Sequence, residues 1–172
     1  MSDADATPGA GDEEPVEDTS ETAEDALETP VVERIYARGH EHVAGTHGST
    51  VELTSDDWLT PAGDCIVGVE ADTTPAAFDD AFVSSCRSAD ATITAEFEAA
   101  LDGETYVDTI TARGDPNLTF DGDRSLVGRT SDYVDDRTVF VGADGAAADL
   151  DRELIDALAN GADLTLTLTV ER

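Results

Sequence analysis

Three histidines, two cysteines and one tryptophan are the scarce chemical groups of this chain. All but Cys86 fall within residues 40–69, HEHVAGTHGSTVELTSDDWLTPAGDCIVGV. On a strand His40 and His42 point to the same face. His47 from the following turn, with Glu52 or Asp64, would complete a metal site. The spacing matches none of the recurrent zinc-ligand signatures, and a histidine at a strand edge serves equally well to cap a turn. No metal is therefore assigned, and the cofactor stays unknown. Cys65 with a histidine as base would make a nucleophile. It opens an apolar strand, where cysteine is a small buried hydrophobe, and the anionic Asp64 beside it works against a thiolate.

A second polar cluster, SDYVDDR at 131–137, offers Asp132, Asp135, Asp136 and Arg137, which can converge with Gly63-Asp64 at one end of the sheets. Paired carboxylates bind cations or do acid–base work. Arg129 and Arg137 flank the cluster as structural ion pairs or as an anion site, the structural role coming first among so many carboxylates. No Walker loop, GxGxxG, HExxH or GxSxG occurs. The glycines of VGADG at 141–145 are too few for a phosphate cradle, and Asp144 would repel a phosphate. The candidate ligand-binding residues are His40, His47, Thr50, Glu52, Asp64, Asp132, Asp136 and Arg137.

These groups sit in a very acidic chain, 172 residues with 40 carboxylates against 9 basic residues and a formal charge of −31. Every basic residue is arginine and lysine is absent, although lysine is among the commonest residues of ordinary proteins. Such a bias marks a proteome rather than one ligand, and the expectation is the cytoplasm of a salt-in halophile. At molar salt the Debye length falls to about 3 Å, which screens the self-repulsion of so many carboxylates. In that milieu acidity does not exclude nucleic acid as a partner. Two cysteines make no disulfide framework. No signal-like segment opens the chain, and no apolar run approaches the roughly 18 residues of a membrane span. No membrane partner is expected.

The elements that must position the candidates follow from pattern. Residues 1–30, with eleven carboxylates and no basic or aromatic residue, read as a disordered acidic tail. Residues 31–172 read as a single β-rich globular domain, long enough to bury a core. Strands are expected over 31–36, 49–54, 65–69, 118–120, 124–129, 138–142 and 164–170. A hairpin of strands 91–101 and 105–112 turns at Asp102-Gly103. Ser55 heads a helical turn over 55–58. Thr74 caps a first helix, with Pro75 at its first position and Phe78, Ala81, Phe82 and Cys86 along one face. Asp144 caps a second, running to about Ala159 with Ala147, Leu150, Leu154, Ala157 and Leu158 buried and Asn160-Gly161 as its C-cap. No internal repeat is read. The fold class is mainly β, α+β by content: a β-sandwich-like domain with two packed helices.

The runs GHEH, THGSTVELT, LTPAGDCIVGV, GRTSDYVDDRT and ADGAAADLDRELI together resemble an archaeal family, the domain of unknown function 371, over roughly residues 35–170. The resemblance implies a β-sandwich and brings no activity with it. The family pattern has Asn at His42 and Lys at Gly145, which leaves His40 and His47 as the matching histidines. The functional expectation is a domain that binds a small ligand or a protein partner. The alternative is a metal-dependent or hydrolase-like enzyme built on His40, His47 and Asp64. The third is a nucleic-acid-associated accessory protein, which would need Arg34, Arg38, Arg113, Arg129 or Arg137 to cluster.

Overall fold

Ile93, Ala95, Phe97 and Ala99 alternate along one strand and can bury a common face only if neighbouring strands extend it. Asp102 and Gly103 supply the return, both with positive φ (53° and 84°), as a two-residue hairpin turn demands. In a computed structural model of the chain, which describes residues 29–172, this gives β4 (Thr92–Leu101) paired with β5 (Glu104–Arg113). On the other side of β4 lies β8 (Asp163–Glu171), and beyond it β1 (Val31–Arg38), so the order is β1-β8-β4-β5, antiparallel throughout. Residues 1–28 lie outside the described part of the chain, and with them nearly all of the expected tail.

The second sheet has the order β3-β2-β6-β7. Its centre is β2 (Thr50–Thr54) antiparallel to β6 (Ser125–Arg129). The edges β3 (Ile66–Gly68) and β7 (Thr138–Phe140) run parallel to their neighbours. Side chains alternate across a strand, so Val51, Leu53, Leu126 and Phe140 face the first sheet and join its Leu164, Leu166, Leu168 and Phe97 in one core. Helix α1 (Asp80–Cys86) packs on β1 and β8, and helix α2 (Arg152–Ala159) on β4 and β5. Two sheets, two α-helices and a shared core are the mainly-β, sandwich-like fold expected of the sequence.

The chain is an internal duplication, which corrects the reading that it has no repeat. Both halves run strand, strand, short strand, 3-10 turn, helix, long strand. Equivalent residues make equivalent bonds. Asp72 N–H donates to Tyr36 O, and its carboxylate accepts from Tyr36 N–H; Asp144 does the same with Thr111. Arg38 bridges Val69 as Arg113 bridges Val141. Gly45 and Phe120 both take positive φ, as do Glu70 and Gly142. The first strand of each half, β1 or β5, pairs with the last strand of the other, β8 or β4. The halves therefore interlock, and a two-fold relation runs between β4 and β8 in one sheet and between β2 and β6 in the other. Side-chain divergence hides it: IYARG at 35–39 against ITARG at 110–114 is the clearest surviving trace.

Several local expectations give way to tertiary contacts. Neither helix starts where its sequence signal stands. Thr74 makes no side-chain cap and heads only the 3-10 turn Pro75–Ala77; Asp79 caps α1 by accepting from Ala81 N–H, and Ala81 is exposed while Phe78, Phe82 and Cys86 are buried. Asp144 is held by Thr111, so Asp151 caps α2 instead. The buried stripe of α2 and its left-handed Gly161 (φ 89°) are as expected. No helical turn forms over 55–58, because Ser55 N–H donates to Arg124 O and Asp56 O accepts from Glu70 N–H, bonds a helix would have needed for itself. Residues 118–120 form no strand: Phe120 turns at φ 54° to place its ring against Phe78 and Phe82, with centroids 5.9 and 6.4 Å away.

Candidate functional site

On the outward face of the second sheet, β2 presents Thr50, Glu52 and Thr54, and β6 presents Ser125, Val127 and Arg129. These are the residues that alternate with the core positions. Val127 is 2% exposed yet stands outside the core cluster. A polar layer covers it.

The layer is a chain of charge-assisted contacts. Asp135 accepts from Arg129 Nη2 (3.0 Å), Arg137 Nη2 (3.2 Å), Arg137 N–H (3.0 Å) and the Thr138 hydroxyl (2.9 Å). Burial works to raise its pKa but is outweighed by the Thr138 and Arg137 hydrogen bonds and the charge of Arg129, which hold the carboxyl down at about 2. Arg129 also donates from Nε to Thr138 Oγ1 (2.9 Å) and lies over the Tyr133 ring, 4.9 Å from its centroid, a cation–π contact. Arg137 Nη1 faces Glu52 Oε2 at 3.7 Å. Glu52 in turn accepts from Cys65 Sγ at 3.2 Å. Burial first, then Glu52, pushes the Cys65 thiol up to about 11, so it is a thiol donor at neutral pH and a poor nucleophile.

Beside this chain lies a cleft of about 280 Å³, at the small end of ligand pockets. Trp58, Leu59 and Ile66 give it apolar walls, and Glu52, Asp56, Arg124 and Arg137 ring it with charge. Trp58 is 55% exposed, although a large aromatic normally buries most of its surface. Arg124 donates from Nε (3.0 Å) and Nη2 (2.7 Å) to Asp56 Oδ2, which holds the Asp56 carboxyl below its ordinary value. The loop carrying Trp58 and Leu59 is anchored from behind: His42 Nδ1–H donates to Leu59 O at 2.8 Å, which fixes the His42 tautomer.

The sequence candidates divide. Glu52 and Arg137 line the cleft. His47 and Thr50 are outside its lining and serve as structural groups: Nδ1 of His47 accepts from Ser49 N–H (3.3 Å) and Thr50 N–H (3.2 Å) and lies 3.1 Å from the Thr50 hydroxyl, closing the turn into β2. Asp64 meets His47 only through its backbone carbonyl, which accepts from Thr46 and His47 N–H. His40 lines a separate shallow depression with Gly39, Glu41 and Asn160, its Nδ1 accepting from His42 N–H at 3.0 Å. Asp132 is exposed, and Asp136 is exposed with its carbonyl accepting from Gly122 N–H. The structure thus does not bring His40, His47 and Asp64 into one pocket. Among the described residues no group of three or more His, Cys, Asp or Glu is placed to hold a metal ion. Of the arginines named for a nucleic-acid surface, Arg38 pairs with Glu70, Arg113 with Asp115, and Arg129 and Arg137 with Asp135. No helix among the described residues is long and apolar enough to cross a membrane.

Sequence reasoning missed Trp58, Asp56 and Arg124 as members of the site. The signal that would have pointed to Trp58 is the duplication, which sets TSDDW at 54–58 beside RTSDY at 129–133.

A family model described as a domain of unknown function, DUF371, matches residues 35–171. An uncharacterised protein of Methanocaldococcus jannaschii is 34% identical over 136 residues, which cover 79% of this chain and 97% of that relative.

Proposed function

We propose that this chain, which belongs to the family of the domain of unknown function 371, is a small-ligand-binding domain whose site is the cleft of Trp58, Glu52, Asp56, Arg124 and Arg137. The observation that carries the reading is the exposed Trp58, the only tryptophan, standing over a concave surface where two of the nine arginines converge. In a chain without lysine, two guanidiniums in one cleft are a concentrated donor set. A ring platform beside a few convergent polar groups is the usual make-up of a ligand pocket.

Because Trp58 is the sole tryptophan, its emission reports the cleft. A small-molecule extract of the cells that make the protein, added to untagged protein in molar KCl, should change that emission saturably. The active compound should co-elute with wild type and not with Trp58→Ala. If no fraction alters the emission, or if the variant retains the same compound, the cleft is not the site.

The setting we propose is a halophile cytoplasm, with residues 31–172 as the folded unit. Dialysis from molar KCl to about 0.1 M, where the Debye length lengthens to roughly 10 Å, should lower the melting temperature of full chain and 31–172 fragment alike. A midpoint indifferent to salt would remove the halophile reading, and a fragment that fails to fold would remove the domain boundary.

A further inference from the structure

We infer that the cleft receives a small planar molecule carrying an anionic group, because it is the vacated copy of a slot that the second half of the chain fills with its own Arg129. The inference rests on the cleft being a ligand site, as proposed above. The correspondence is fixed by backbone bonds. Ala71 N–H donates to Thr54 O as Ala143 N–H donates to Arg129 O, so Thr54 stands where Arg129 does. Glu70 N–H to Asp56 O matches Gly142 N–H to Ser131 O, which two residues on sets Trp58 against Tyr133. Ile66 pairs with Glu52 as Thr138 pairs with Val127. Ile66 N–H donates to Gly63 O as Thr138 N–H donates to Asp135 O.

In the second half the four positions make one assembly: the planar guanidinium of Arg129 lies over the Tyr133 ring and is bonded to Asp135 and Thr138. In the first half the same positions are Thr54, Trp58, Gly63 and Ile66, and all four line the cleft. The ring platform survives and is enlarged, while the planar group that should lie on it is missing. Its two polar partners are also gone, an aspartate replaced by glycine and a threonine by isoleucine, so the slot no longer selects a cation. Two guanidiniums stand at the slot instead, with Glu52 and Asp56 beside them. Arg137 occupies the position of Cys65, since Val127 N–H donates to Arg137 O as Glu52 N–H donates to Cys65 O. Arg124 likewise corresponds to Ser49. Arg124 spends Nε and Nη2 on Asp56, and Arg137 Nη1 stands beyond hydrogen-bond distance from Glu52. Arg124 keeps Nη1 for an anion, and Arg137 Nη1 makes no hydrogen bond to Glu52, while Asp56 is bound by Arg124 and Glu52 accepts from Cys65.

The test uses the full chain in molar KCl, with the indole N–H resonance of Trp58 as readout and three probes: benzoate, benzamidine and inorganic phosphate. Benzoate should shift the resonance saturably, and benzamidine and phosphate should not at the same concentration. Arg124→Gln, at an exposed position that leaves the Asp135 cluster intact, should weaken benzoate about tenfold, the scale of a lost charged hydrogen bond, with the remaining amide spectrum unchanged. Benzamidine binding as well as benzoate, or an unweakened Arg124→Gln, would overturn the anionic assignment while leaving the cleft a ligand site. Phosphate binding as well as benzoate would overturn the planar one. Silence from all three overturns the inference, and the extract titration then decides separately whether the cleft binds anything.

Discussion

Replacing Gly39 or Gly114 by alanine is expected to destabilise the domain by about 3 kcal/mol or more, and by similar amounts at the two positions. A Cβ at Gly39 would fall on the carbonyl oxygen of Leu158, and one at Gly114 on that of Cys86. Both carbonyls sit at the C-terminal end of a helix, α2 and α1 respectively, where the chain leaving β1 or β5 passes beneath. Each glycine also donates its N–H to the residue before the last strand of the other half, Gly39 to Ala162 O (2.7 Å) and Gly114 to Ala91 O (3.1 Å). Neither the helix end nor the strand can retreat without breaking the bonds that interlock the halves. Gly48→Ala is the control, since a Cβ there meets nothing within 4 Å. Urea unfolding reads all three. A loss at one position without the other would contradict the duplication, and a neutral pair would contradict the packing.

Asp135→Asn is the second large effect, with an expected loss of about 3 kcal/mol. The carboxylate neutralises Arg129, whose side chain is only 11% exposed, and Arg137 as well. Without its charge two guanidiniums lie over Val127 with one partner fewer, and leaving a buried charge unpaired costs more than a surface ion pair ever contributes. The same group sets an acid limit. Its carboxyl titrates at about 2 in the folded chain against an ordinary 3.8, so the folded state holds its proton less tightly than the unfolded state. The stabilisation is present above pH 4 and is lost as pH falls from about 4 to 2, an amount of about 2 kcal/mol. Asp135→Asn should flatten that part of the stability–pH curve. A curve unchanged by the substitution would mean that Asp135 does not hold the layer together.

How far the sequence carried depended on whether the deciding interactions were local. The β4–β5 hairpin and β8 were legible because strict alternation and Asp102-Gly103 leave one register that buries Ile93, Phe97 and their neighbours. The start of α2 was misplaced because a capping aspartate looks the same whether it caps or bonds a distant strand. Asp144 bonds Thr111, and only the fold shows it. The histidines drew attention by chemical capability, yet His47 closes a turn and His42 holds the Leu59 loop. Glu52 and Arg137 were found, while Trp58 and Arg124 were not, because nothing local marks the residues that line a space left open where Thr54 replaces the counterpart of Arg129.

The most direct measurement is a crystal structure of the untagged protein, grown from molar salt with the compound isolated from the cell extract. The account requires electron density for a flat group on Trp58, within contact of Ile66 and with its anionic edge at Arg124 or Arg137 Nη1, while Arg129 keeps its place over Tyr133. Density against His40 and Asn160 instead, with the Trp58 cleft holding only solvent, would contradict it.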